Sequence, residues 1–360
     1  MAPRETLNGR ERVRLALEHR TTDRVPIAMV CAGLNPPVHA AMETHLRATR
    51  DTSVERYLLE HVDIVDVSPP YVGPPLAPGG DIWGVIRRPV SYGSGAYDEI
   101  VRYPLESARS PADLETHAWP DPAWFDYAAV PGIIRAAMDR RVRATMVSNG
   151  NLFETSWYMR GFERMLMDLA LNPELANAIF ERVCSFYCEH FTRVLEAADG
   201  GVDLVFTADD IGGQQGLLMS LDMWERNIKP YHERLNRAIH AFGAKVIYHS
   251  DGAVMRAVPG LIEMGIDVLQ ALQFDAAGMD PVVLKENYGD RLCFEGGISV
   301  QHTLPFGTAE QVRREVIERV EVLGRSGGYI LGPSHAIQAG TPPENIVAMF
   351  DTAASTPMLG

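Results

Sequence analysis

The chain has 360 residues, 46% of them hydrophobic and 22% charged, a balance that builds a large buried core and excludes a disordered or fibrous protein. A formal charge of −14, with no Lys/Arg-rich run, argues against nucleic acid or an anionic membrane as partner and favours a small-molecule substrate or a protein partner. The longest apolar stretches are strand-length, short of the roughly 20 residues that span a bilayer, and the four cysteines form no CxxC pair. With a start that lacks an apolar signal core, this makes the cytoplasm the expected location.

Residues 10–20, RERVRLALEHR, set Val13, Leu15, Ala16 and Leu17 among charges and predict a short amphipathic helix, ended by Asp23 and Pro26. VPIAMV (25–30) is the first predicted strand. Seven more apolar runs follow at 62–68, 144–150, 202–210, 245–252, 267–272, 292–297 and 328–335. Helical patterns separate most of them, as at 172–198 and 223–243. Strands alternating with helices imply parallel pairing and right-handed crossovers, and eight of them at this length predict an α/β fold, a (β/α)8 TIM barrel occupying 1–360 as one domain. No GxGxxG or P-loop follows any strand, which removes the main support for an open nucleotide-binding sheet. The interval 69–143 is rich in Pro and Gly and predicts a long excursion between the second and third strands, with a hairpin within 81–105.

The predicted strands end in polar residues: Asn149, Asp209 and Asp210, His249 and Asp251, Gln270 and Gln273, Glu295, and His335. In a barrel these ends open on one face, where the active site lies. His249 and Asp251, two apart on an extended strand end, point the same way. His335 completes a two-His, one-carboxylate set suited to zinc, iron or manganese; without an ion, the same side chains are hydrogen-bonded or substrate-binding groups. Glu295 is a further oxygen donor, a general base or a salt-bridged carboxylate. In ADDIGGQQG, Asp210 and Gln214 are candidate substrate contacts, unless the segment is an Asx-type turn. Glu154, Trp157 and Arg160 follow the third strand and are candidates for the mouth, Arg160 as an anchor for a carboxylate, with helix-surface roles as the alternative. Cys184 and Cys188, at i and i+4 of a helix, fit core packing.

The stretches RERVRLALEHRTTDRVPI, DIWGV, DDIGGQQG, YHSDGAV, LCFEGGISVQHTLPFGT and GGYILGPSHAIQAGTPPENIVAM carry a resemblance over nearly the whole chain. The chain resembles the uroporphyrinogen decarboxylase superfamily, and within it the cobalamin-linked methyltransferases of the methylcobamide:coenzyme M type. The resemblance implies a TIM barrel and a metal-dependent methyltransferase or demethylase. Zinc ligands of that branch, a His-x-Cys pair and a later Cys, fall on His249, Asp251 and His335, so a carboxylate and an imidazole replace two thiolates and leave the ion more Lewis-acidic. The implied cofactors are a divalent metal, zinc before iron or manganese, and a corrinoid. Because the chain lacks a DxHxxG cobalamin-ligating motif, the corrinoid would arrive free or on a partner protein. Under this reading Asp210, Glu295 and His335 are catalytic, and Asn149, Glu154, Arg160, Gln214, Gln270 and Gln273 bind substrate. The arginine-rich WxMRQAGR motif of the porphyrinogen decarboxylases proper is replaced by PIAMVCAGLNPPVHAAM, which takes away the counter-charge for a polycarboxylate. A metal-free decarboxylase or lyase, with Asp210 and His335 as proton donors, is the competing expectation, and a homodimer the expected assembly.

Overall fold

A computed structural model describes residues 6–358 apart from 32, 92, 94 and 95. Its strands, in chain order, are β1 (Ile64–Asp66), β2 (Ile86–Ser91), β3 (Ala96–Arg102), β4 (Ala144–Asn151), β5 (Leu204–Ala208), β6 (Lys245–His249), β7 (Val268–Ala271), β8 (Cys293–Ile298) and β9 (Tyr329–Pro333). Seven of them form one parallel sheet in the order β1-β4-β5-β6-β7-β8-β9. Each step between sheet neighbours passes through helical structure, as parallel pairing demands. The fold is thus α/β and TIM-barrel-like. Between β1 and β4, strands β2 and β3 pair only with each other, antiparallel; part of their connection, residues 92, 94 and 95, lies outside the described residues.

The first expected strand, 25–30, is not a strand but a single bridge, Ile27 to Leu331. Pro26 has no N–H to donate, which breaks the ladder on that side. The segment still touches both edges of the sheet. The Ala28 N–H donates to the Leu331 carbonyl at 2.8 Å, the Leu331 N–H donates to the Pro26 carbonyl at 2.8 Å, and the Asp63 N–H donates to the Ile27 carbonyl at 2.7 Å.

The strands are buried on both faces, which is why they read as continuous apolar runs. Val205, Val246, Leu269, Phe294 and Leu331 join the large core shared with the helices. Their neighbours Phe206, Ile247, Val268, Cys293 and Ile330 form a separate inner cluster, which the predicted first helix (Gly9–Leu17) closes with Val13 and Ala16. An Asn8/Glu11 capping box starts that helix. Beside it, buried Arg12 and Arg24 both pair with buried Asp63, at 3.0 and 2.8 Å.

Strand periodicity of two fixes what comes next inside the sheet. Two residues beyond Ile247, Val268 and Cys293 stand His249, Gln270 and Glu295, all nearly or fully buried. The interior therefore turns polar toward the carboxyl ends. Gly332 makes room for this layer, since a Cβ there would lie 2.5 Å from a Glu295 carboxylate oxygen and 2.8 Å from the Ala28 carbonyl. Gly332→Ala should cost about 1–3 kcal/mol by overpacking, read as a lower urea midpoint at unchanged slope. Among the described residues, no helix is long and apolar enough to cross a membrane.

Candidate active site

A cavity of about 980 Å³ opens over the carboxyl ends of the strands. Its walls are of two kinds. Tyr71, Trp83, Phe125, Tyr158, Phe186 and Phe206 make an aromatic side, while Cys31, Glu154, Asp210, His249 and His335 make a polar end. Among the described residues no Lys or Arg lines the cavity.

Much of the aromatic side comes from the segment between β1 and β4 packed on the long helix Pro173–Ala198. Trp83 meets Phe186 edge-on with ring centroids 5.0 Å apart, and Phe125 meets His190 at 4.6 Å. Burial lowers the His190 imidazole to about 4, so it is neutral at physiological pH, and its Nδ1 lies 3.0 Å from the Tyr127 hydroxyl. Asp81 folds the DIWGV stretch by accepting the Trp83 and Val85 N–H groups at 2.9 and 3.1 Å.

His249 ends β6 and is the hub of the polar end. Its Nδ1–H donates to the Gln270 amide oxygen from the neighbouring strand β7. That bond fixes the tautomer and leaves Nε2 with a free lone pair, the state a metal ligand requires. Nε2 lies 3.5 Å from an Asp210 oxygen and 4.0 Å from Asp251 Oδ1. Asp251 Oδ2 is in turn 3.9 Å from His335 Nε2. Asp210 also accepts the Asp251 N–H at 2.8 Å, tying the loops after β5 and β6 together. Asp251 Oδ1 is buried with no hydrogen-bond partner. Burial, with Asp210 adding to it, pushes the Asp251 carboxyl up from its ordinary range, and His249 and His335 oppose the shift.

Among the described residues, two sets of three ligand atoms come within 4.8 Å of one another: Asp210, His249 and Asp251, and Cys31, His249 and His335. The expected set of His249, Asp251 and His335 is thus part of a five-residue cluster around His249, with Asp251 reaching the two imidazoles through different oxygens. Cys31 was not among the expected site residues. Burial, and then Asp251, Glu295, Asp210 and Glu154, push its thiol up to about 12.

Glu154 lies in the first turn of the helix Phe153–Arg160 and lines the cavity. Its carboxylate accepts from the Asn151 amide at 2.8 Å and the Tyr158 hydroxyl at 2.9 Å. Burial, then Asp210 and Asp209, push it up to about 8. Buried Asp209 places that helix by accepting the Phe153 and Glu154 N–H groups, each at 2.8 Å, an anion at a helix N-terminus. Asn149 lines the cavity at φ 78°.

The remaining expected residues stand back from the cavity. Gln270 orients His249, and Gln273 accepts the Gly252 N–H at 2.8 Å, holding the loop that carries Asp251. Gln214 is exposed and engages Ala277 through its backbone carbonyl. Arg160 is buried, donates to Asp168 at 2.7 Å and to the Leu105 and Glu106 carbonyls, and is absent from the cavity lining. Its guanidinium braces the chain there. Cys184 and Cys188 sit on the helix Pro173–Ala198 with their sulfurs 3.8 Å apart.

Glu295 stands level with His249 two strands away, with Gln270 between them, fully buried, and its oxygens make no well-formed hydrogen bond. Burial pushes its carboxyl up to about 8, with the Gln270 amide pulling the other way. The folded-state value stands above the ordinary 4.5, so the stability that the protonated group contributes is complete below 4.5 and is lost as pH rises through about 8. Glu154 acts with the same sign. Because Glu295→Gln cannot ionise, the variant should gain stability relative to wild type between pH 6 and pH 9 in urea titrations. A difference that does not move with pH over this range would show that Glu295 is already ionised in the folded protein and that its carboxyl is not held up by burial.

A family model described as Uroporphyrinogen decarboxylase (URO-D) matches residues 97–356. Among curated relatives, the uroporphyrinogen decarboxylase of Anaeromyxobacter sp. (strain Fw109-5) is 25% identical over 252 residues, 68% of each chain. That of Methylococcus capsulatus is 22% identical over 258 residues, again 68% of each. A solved structure of a methyltransferase from Methanosarcina mazei aligns with 96% of this chain and 98% of its own, at a TM-score of 0.65 and 17% identity, a likeness of fold.

Proposed function

The chain belongs to the uroporphyrinogen decarboxylase (URO-D) family, and on that footing we propose that it is a metal-dependent methyltransferase or demethylase, moving a methyl group between a small-molecule or corrinoid donor and a metal-activated acceptor. The observation that carries this reading is the gathering of His249, His335 and Asp210 at the polar end of an aromatic-walled cavity, with Asp251 within 4.0 Å of both imidazoles. The donor set suits a divalent ion: the His249 tautomer leaves Nε2 free, and Asp251 Oδ1 is buried without a partner. His249, His335 and Asp251 would hold the ion, zinc before iron or manganese. A bound ion supplies Lewis acidity, which lowers the pKa of a thiol or phenol acceptor.

The chain's own residues do the rest. Gln270 holds the His249 ring in one orientation, and Asp210 fixes the Asp251 loop. The aromatic side excludes water and stacks a planar apolar body such as an aryl ether. Glu154, held up to about 8, keeps a proton at neutral pH and can give it to an oxygen leaving in the cavity. The corrinoid, if used, docks from a partner protein or enters free.

A metal-free carboxy-lyase is the second reading. Glu154 favours it, as a protonated acid at the cavity that needs no ion. The lining counts against a polycarboxylate substrate, since among the described residues no Lys or Arg faces the cavity to pair with it. Methylated corrinoids and aryl methyl ethers, screened with thiol and phenol acceptors by mass spectrometry, should yield methyl transfer, and porphyrinogens should release no carbon dioxide. Carbon dioxide release without added metal, with no methyl product, would overturn the proposal.

A further inference from the structure

We propose that Cys31 is a metal ligand, so that the ion is held by the Cys31 thiolate together with His249 and His335, and the thiolate comes from the segment beside β9. The inference rests on the reading that this site holds a metal.

The placement follows from the backbone. Ile27 bridges to Leu331 in parallel. Four residues on from each, past the same end of the sheet, stand Cys31 and His335, both lining the polar end of the cavity. His249 reaches the same point from β6, its ring centroid 5.7 Å from that of His335. One ligand atom from each of the three lies within 4.8 Å of the others. His249 is nine-tenths buried and, with Nδ1 committed to Gln270, presents only Nε2 to this space. Sulfur and two imidazole nitrogens are a ligand set that zinc accepts with a fourth position open for substrate. Asp251, within 4.0 Å of both imidazoles, is placed to close the coordination shell, and Asp210, 3.5 Å from the same His249 nitrogen, to take a proton from an incoming acceptor.

The other cysteines do not compete. Cys293 is wholly buried in the inner cluster, and Cys184, with Cys188 against it, faces Tyr231 and Arg234.

The test is spectroscopic and does not depend on turnover. Full-length protein stripped by chelation and loaded with Co(II) should show a near-ultraviolet thiolate-to-cobalt charge-transfer band besides its visible ligand-field bands. In Cys31→Ser the charge-transfer band should vanish while visible bands remain, and in His249→Ala both should be lost. Should Cys31→Ser fail to fold, zinc-edge absorption on the wild type decides, with one sulfur expected at about 2.3 Å. Cobalt bound with visible bands alone, or a zinc shell of nitrogen and oxygen only, would overturn the Cys31 assignment and leave the metal reading standing. No cobalt or zinc bound by the wild type would overturn both.

Discussion

His249→Ala is expected to empty the metal site and to lower turnover more than about 100-fold while the protein stays folded. Loss of a partner that merely orients a ligand costs about 10 to 100-fold in affinity or activity, and loss of the ligand itself should exceed that. His249 belongs to both sets of converging ligand atoms, so its removal leaves neither intact. The fold should survive because the ring lines the cavity, where water can replace it. Gln270→Leu provides the graded comparison. It keeps the imidazole but leaves Nδ1 without its acceptor, frees the ring to adopt either tautomer, and should cost about 10 to 100-fold. Elemental analysis, turnover and circular dichroism on the same preparations check both variants. Full metal content in folded His249→Ala would remove His249 from the ligand set.

The largest stability effect should come from Asp209→Ala, with a loss of about 3–5 kcal/mol. Asp209 is fully buried and accepts the Phe153 and Glu154 N–H groups as well as His232 Nε2 at 2.5 Å. Removing its carboxylate strands two backbone donors and one imidazole in a dry interior, and each buried unpaired group costs about 1–3 kcal/mol. Asp209→Asn keeps an acceptor oxygen and should lose about half as much. Urea unfolding measures both. Because Asp209 also seats Glu154, both variants should lose activity at temperatures where they remain folded. An Asp209→Ala protein within 1 kcal/mol of wild type would mean that the helix Phe153–Arg160 is placed by packing alone.

The periodicity of the apolar runs carried much of this architecture. Ile247 and His249, Val268 and Gln270, Cys293 and Glu295 are each two apart on their strands, so apolar interior and polar rim follow from alternation. The approach of His249, Asp251 and His335 was legible for the same reason: each follows a strand, and parallel strands end on one face. Cys31 was hidden by the way cysteines are read, since a search for CxxC spacing passes over a thiol whose partners lie 218 and 304 residues away along the chain. The Ile27 to Leu331 bridge is the tertiary fact that pairs it with His335. Arg160 shows the opposite error. A cation after a strand suggests an anchor for substrate, but Asp168, eight residues on, and two carbonyls already satisfy it. The aromatic side was illegible because Trp83, Phe125 and Phe186 come from separate segments that only packing brings together.

Metal dependence of methyl transfer tests the central claim most directly. Protein as purified should carry about one equivalent of a divalent transition metal, lose methyl transfer on removal of that metal by a chelator, and regain it on adding back zinc, iron or manganese. Protein that is shown to be metal-free and yet transfers methyl groups at the full rate would contradict the account.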